Sequence, residues 1–261
     1  MGKQAALLVS ALFFGLPAAA ADTLALRPAQ ALGSTEIGAG YVRESVSNQP
    51  NAWTESHVEL LHKFGDRKLV IARITGTERF GLHDNTVSVS GYYPLAKDTT
   101  LYAEAAASDT HRVLPRDRVH LQLAQTLGAG WVVSAGLKRV RYDTTTVDTA
   151  DLTLERYFAD IRAAFTALPS RSSTAGSAAS YRAQLGYYYA NENNVQLVVA
   201  SGEEVDQPIA AGIIVKTDVR STAVYGRHWF ARDWAFTYAI GRTRQGPSTR
   251  EAAGVGLRYR F

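Results

Sequence analysis

Trp234-Ala235-Phe236-Thr237-Tyr238-Ala239-Ile240-Gly241 alternates large apolar side chains with small ones at strict period two. Successive side chains of an extended chain point to opposite faces, so this run reads as a strand with one face in an apolar medium. The rule extends outward from it. Val119, Leu121 and Leu123 alternate with Arg118, His120 and Gln122, and Tyr181, Leu185, Tyr187 and Tyr189 with Arg182, Gln184 and Gly186. Short turns rich in Gly, Asn and Asp punctuate these runs at 65–67, 95–98, 128–130, 159–160, 191–194 and 231–233, the residue types that tight hairpins require. Longer polar connections fall between them, at 46–52, 81–85, 109–115, 143–147, 169–177, 203–212 and 245–249, and the two kinds alternate strictly. The spacing predicts fourteen strands, beginning near Thr35, Trp53, Lys68, Thr86, Thr99, Asp117, Trp131, Asp148, Ile161, Ala178, Val195, Thr217, Trp234 and Arg250. Merging one pair around 152–168 would reduce the count to about twelve, also an even number as single-chain bacterial barrels have.

The two ends of the chain fit this pattern. Lys3, an apolar run over 5–16, Pro17 and the small residues 18–21 have the order of a secretory leader, and Ala19 with Ala21 places cleavage before Asp22. The apolar run is too short to span a bilayer as a helix. At the other end, Val255, Leu257, Tyr259 and Phe261 share one face and Gly256, Arg258 and Arg260 the other. This resembles the carboxy-terminal signal by which outer-membrane barrels are recognised by the barrel-assembly machinery. The expected organisation is a leader at 1–21, a short periplasmic segment at 22–34, and an all-β transmembrane up-and-down barrel at 35–261 in the bacterial outer membrane. The signal puts the end of the last strand, and with it every short turn, on the periplasmic side, and the longer loops outside. Aromatic girdles follow from this placement. Phe64, Tyr92, Tyr93, Trp131, Tyr157, Phe158, Tyr187, Trp229, Trp234 and Tyr259 lie near the inner interface, with Tyr157 and Tyr188 pointing inward by alternation, and Tyr41, Trp53, Phe80 and Tyr142 lie near the outer one.

The absence of cysteine excludes disulfides, thiolate metal sites and thiol nucleophiles, and a net charge of +4 is far from the concentrated basic patch of a nucleic-acid binder. The mean hydropathy of -0.13 is that of many soluble proteins but also of a barrel that alternates lipid-facing and lumen-facing residues.

The segment Val219-Arg220-Ser221 through Tyr225-Gly226-Arg227-His228-Trp229 and Asp233-Trp234, then Thr243-Arg244-Gln245-Gly246 and the closing Gly256 to Phe261, resembles the YaiO family of outer-membrane β-barrel proteins. Leu154-Glu155-Arg156-Tyr157-Phe158 and Tyr187-Tyr188-Tyr189 look similar too. The resemblance implies a barrel whose larger relatives carry tetratricopeptide repeats before it, as exopolysaccharide exporters do. Residues 22–34 are too few for one such repeat, so a polysaccharide role here would need a separate periplasmic partner.

Charge on the lipid face costs about 2–4 kcal/mol near the midplane. Glu59, Arg73, Glu104, Arg118, Lys138, Glu155, Arg162, Arg182, Arg220, Arg242, Arg258 and Arg260 are therefore expected to line the lumen, with bases outnumbering acids nine to three. Such a wall would concentrate anions, and arginine forks suit carboxylate or phosphate; alternatively, Arg–Glu networks simply fill a narrow barrel. Three readings follow: a channel or export conduit for an anionic or saccharide solute, a closed structural barrel, and a lipid-modifying enzyme at the outer rim. For the last, His83 beside Asp84 and His111 near Asp109 and Ser108 are the neighbours with general-base chemistry, without a distinctive motif. Glu203, Glu204 and Asp206 form an acidic loop that could attract Ca²⁺ or lipopolysaccharide-bound cations, but no metal, cofactor or phosphate-loop motif stands out. Gly38, Gly40, Gly254 and Gly256 are expected to make room for inward neighbours.

Overall fold

The computed structural model describes residues 33–47, 49–190, 192–206 and 215–261. The expected leader at 1–21 and residues 22–32 lie outside the described residues. The strands are β1 (Ser34–Val46), β2 (Trp53–Gly65), β3 (Lys68–Arg79), β4 (Leu82–Ala96), β5 (Thr99–Ser108), β6 (Asp117–Gly128), β7 (Trp131–Arg141), β8 (Thr146–Phe158), β9 (Ile161–Ser172), β10 (Gly176–Tyr189), β11 (Asn193–Asp206), β12 (Val215–Trp229), β13 (Trp234–Gln245) and β14 (Ser248–Arg260). All fourteen are antiparallel to their neighbours, and β1 pairs with β14 (Ile37 opposite Tyr259) to close the barrel. Closure leaves no unpaired sheet edge, a requirement for β structure in lipid. The twelve-strand alternative falls because β8 and β9 pair through their shared turn, Phe158 opposite Ile161.

Both ends of the sheet, Ser34 and Arg260, sit at one rim, here the terminal end; the opposite rim is the loop end. The strict alternation of short and long connections does not hold at the loop end. Only Phe80 and Gly81 separate β3 from β4, and their φ values of 58° and 73° fit the type I′ turn that follows the twist of a hairpin. Residues 246–247 are as brief and 173–175 nearly so. Strand pairing continues into stretches whose polar composition resembles loops, as between Arg79 and Leu82 and between Gln245 and Ser248. That is why β4 starts at Leu82 instead of Thr86, and β14 at Ser248.

The outer face carries the apolar band. Val58, Leu60, Ile74, Val87, Val89, Leu121, Leu137, Leu152, Leu185 and Ile240 are among its exposed side chains. At about 25 cal/mol per Å² this surface would be prohibitive in water, and it is the expected face of a barrel in lipid. Phe64, Tyr93, Phe158, Tyr187, Trp234, Tyr259 and Phe261 ring it near the terminal end. The loop end has no matching girdle from the expected residues. Tyr41 faces out, but Trp53 is 3% exposed and packs inside against Phe80 (ring centroids 4.8 Å apart), while Tyr142 lines the internal cavity. Tyr92 and Trp229 are likewise turned inward, beside Tyr102 and Arg260 respectively.

Candidate functional site

The lumen is built by one parity of every strand. Glu59, Arg73, Glu104, Arg118, Lys138, Glu155, Arg162, Arg182, Arg258 and Arg260 all point into it. Arg220 and Arg242 do not: their neighbours Val219, Ser221, Gly241 and Thr243 face inward, so both arginines stand on the outer face. They lie toward the loop end, level with outward Arg244, Asp218 and Glu251 and beyond the apolar side chains Val224 and Ile240. Near the interface the cost of an outward charge falls to about 0–1 kcal/mol, so the argument that drove these two inward loses its force there.

The inward charges are largely paired. Arg73 donates to Glu59 through Nε at 2.9 Å, Arg118 to Glu104 through Nε at 2.9 Å, and Arg162 to Glu155 through Nε at 2.6 Å. Tyr102 and Tyr157 donate their hydroxyls to Glu104 (2.9 Å) and Glu155 (3.2 Å). Arg258 bridges Glu59 and Glu36, and Gly38 lies where a Cβ would come within 3.3–3.4 Å of the Arg258 and Glu59 side chains. The role expected of the strand glycines is thus visible at Gly38.

Several inward groups fall outside the sequence expectation. Glu36, fully buried, receives Lys63 at 3.2 Å, Arg258 at 3.2 Å and Arg260 at 3.1 Å. Arg260 also pairs with Glu192 and lies 3.8 Å over the Trp229 ring. His120 and Gln122 bind Asp151, the former at 2.8 Å, and Arg250 pairs with Glu44 at 3.4 Å. Glu55, Asp84 and Glu204 also share the inward parity. With these acids present, the nine-to-three excess of bases disappears, and the wall is close to balance. Parity could have found Glu36, which alternates with Ile37 and matches Gly38 and Gly40.

The terminal end of the lumen is filled on one side. Leu61, Leu69, Ile71, Tyr92 and Tyr102 form a buried apolar cluster on β2–β5, and the Glu36 cluster fills the side of β1, β2 and β14. Beside them a cavity of about 270 Å³ runs against β2–β10, lined from Leu114 and Pro115 at the loop end to Glu155 and Arg162 next to the 159–160 turn. Lys138 and Arg182 face this cavity, and neither makes an ion pair or hydrogen bond among the described residues. Arg118 and Arg182 lie near enough to repel Lys138, and Glu104, Glu204 and Asp151 near enough to attract it without bonding it.

The mouth is narrowed by the β5–β6 connection, which folds inward. Buried Asp84 accepts the Val113 N–H at 2.6 Å, the Leu114 N–H at 3.0 Å and the Thr110 hydroxyl at 2.5 Å. Hydrogen bonds to a charged group contribute about 1.5–3 kcal/mol each. Asp84→Ala is therefore expected to free this connection. Trypsin cleavage at Arg112 and Arg116 should rise at least about tenfold in the folded barrel; an unchanged rate would mean that Asp84 does not anchor it.

The rim histidines do not assemble a catalytic dyad with their expected neighbours. His83 is exposed and bonds Asn85 at 3.0 Å, while Asp84 points the opposite way, into the lumen. His111 pairs with Asp143 at 2.8 Å, and Asp109 instead accepts from Asn85, whose backbone N–H and side-chain amide hold its carboxyl well below the usual range. Glu203 pairs with Lys216 at 2.6 Å, and no group of three or more metal-ligating side chains occurs among the described residues. Val255, Leu257, Tyr259 and Phe261 all stand on the outer face at the terminal end.

A closed antiparallel barrel with an apolar exterior and a charged, mostly satisfied interior defines a transmembrane β-barrel of the bacterial outer membrane. The chain belongs to the YaiO family: residues 34–207 match the family described as the YaiO membrane beta barrel domain. The match covers Leu154 to Phe158 and Tyr187 to Tyr189 but ends before the 219–261 stretch that carried most of the resemblance. No curated protein matches the sequence. Among solved structures, the COG4313 outer membrane channel from Pseudomonas putida F1 is similar with a TM-score of 0.56 at 10% identity, over 89% of this chain and 97% of that one. The outer membrane protein Omp33 of Acinetobacter baumannii is similar with a TM-score of 0.51 at 13% identity, over 87% and 99%. At such identities the likeness shows the shared fold.

Proposed function

We propose that the barrel is a selective conduit for a small anionic or acidic saccharide solute, with its terminal end toward the periplasm and its loop end outside. The observation that carries this is the pair Lys138 and Arg182, facing the cavity without a carboxylate partner while the inward arginines around them have one. Cations without a bonded carboxylate in a low-dielectric wall attract anions and repel cations, and their side chains offer donors to carboxylate or phosphate. A link to envelope exopolysaccharide, with a separate periplasmic partner, belongs to this proposal and rests on the family resemblance. Assembly would proceed through recognition of the outward Val255, Leu257, Tyr259 and Phe261 face by the barrel-assembly machinery.

The test is single-channel conductance of the refolded chain in planar bilayers across a salt gradient. Steady openings with a reversal potential favouring anions are expected. The two side-chain clusters at the terminal end favour a second reading, a sealed structural barrel. A folded, heat-modifiable protein that never conducts would establish that reading and sink the first.

A further inference from the structure

Arg220 and Arg244 are directly opposite each other across β12 and β13, both on the outer face. Like charges in that register repel and destabilise a sheet. The other outward cations at this level mostly have acids: Arg139 donates to Asp148 at 2.7 Å, Arg141 to Asp117 at 2.7 Å, and Lys216 pairs with Glu203 at 2.6 Å. Arg220 and Arg244 make no ion pair among the described residues, and neighbouring Arg242 has only a long, exposed contact to Glu251 at 3.6 Å. The cluster lies just beyond the apolar band, where lipid head groups sit.

We infer that the outer face of β12 and β13 binds the phosphorylated head group of lipopolysaccharide, its phosphates held between Arg220, Arg244 and Arg242. The phosphates remove the repulsion that the register imposes, and each guanidinium can donate two parallel hydrogen bonds to one of them. The choice of lipopolysaccharide over an inner-leaflet phospholipid rests on the orientation proposed above.

The experiment is native mass spectrometry of the refolded chain in an uncharged detergent, with bisphosphorylated lipid A, its dephosphorylated form and phosphatidylglycerol. Lipid A should bind about tenfold or more tightly than either control. Arg220→Glu should abolish that preference while leaving the barrel as heat-resistant as before or more so, since the new carboxylate would pair with Arg244. Arg244→Gln removes one cation without adding an acid, and should weaken lipid A binding several-fold; it is the readout if R220E does not fold. Equal binding by wild type and variant, or equal binding of phosphatidylglycerol, overturns the site. Thiol labelling of a cysteine placed at Gly81 in intact cells reads the orientation separately, so a wrong orientation and a missing site give different results.

Discussion

Glu36→Ala is expected to be among the most damaging single substitutions in the barrel, lowering its stability by about 3–5 kcal/mol, the usual cost of leaving buried charge uncompensated. Glu36 is fully buried and gathers Lys63, Arg258 and Arg260 within 3.2 Å. Arg258 keeps Glu59 and Arg260 keeps Glu192 when it is removed, but Lys63 loses the one acid it bonds. The damage falls on the closing seam, because Glu36 is opposite Arg260 on β14 and Leu61 on β2. Two measurements check it: the urea midpoint of folding into vesicles, and the temperature at which the compact band is lost on a cold gel. Glu36→Gln, which keeps the shape and some hydrogen bonds, should fall between wild type and alanine. Replacing Glu36 and Lys63 together by methionine should recover part of the loss, since an apolar pair avoids the desolvation penalty. Wild-type stability in E36A would show that the cluster is solvated filler.

The second large effect is on charge selectivity. The double variant Lys138→Glu, Arg182→Glu reverses two charges that make no ion pair among the described residues, and should turn an anion-preferring conductance into a cation-preferring one. An ion passing within about 6 Å of one such charge feels roughly 1–3 kcal/mol at effective dielectric constants of 20 to 80. Reversing both should shift the anion-to-cation permeability ratio by at least about tenfold, and less at high salt, where screening shortens the range below about 8 Å. The matched control is R118Q with E104Q, which removes a bonded pair of opposite charges. Its reversal potential should barely move. If K138E/R182E conducts with unchanged selectivity, these cations do not set the preference.

Strand number and most strand starts were legible because lipid on one side and a charged lumen on the other impose alternation on both faces. Seven expected starts, Trp53, Lys68, Thr99, Asp117, Trp131, Ile161 and Trp234, coincide with the observed ones. The loop end was less legible because strands outlast the membrane there. Beyond the apolar band nothing enforces alternation, so 82–85, Gln245 and 248–249 read as loop although they pair. The same lack of constraint misplaced Arg220 and Arg242. Arg242 has the parity of Trp234, Phe236 and Ile240, and parity alone puts it outside; a cost that applies only at membrane depth pulled it in. In the lumen, the individual charges were readable, but their partners were not. Glu36 meets Lys63 and Arg258 through closure of β1 on β14 and β2, a long-range fact that no local pattern encodes. Trp53 differs, since it shares the parity of inward Glu59 and alternation already turns it into the barrel, where Arg79 and Arg250 lie over its ring at 4.9 and 5.6 Å.

The tight turns at Phe80–Gly81 and 246–247 bear on how the molecule meets the world beyond the cell. With the loop end outward, these hairpins would end close to the level of the lipid phosphates, below the sugar coat. A phage tail fibre or an antibody would find no protrusion to grip there. An adhesion or receptor role would have to use other connections, and Asp84 folds the β5–β6 one inward over the mouth. At these two hairpins, then, the barrel ends flush with the membrane that would hold it.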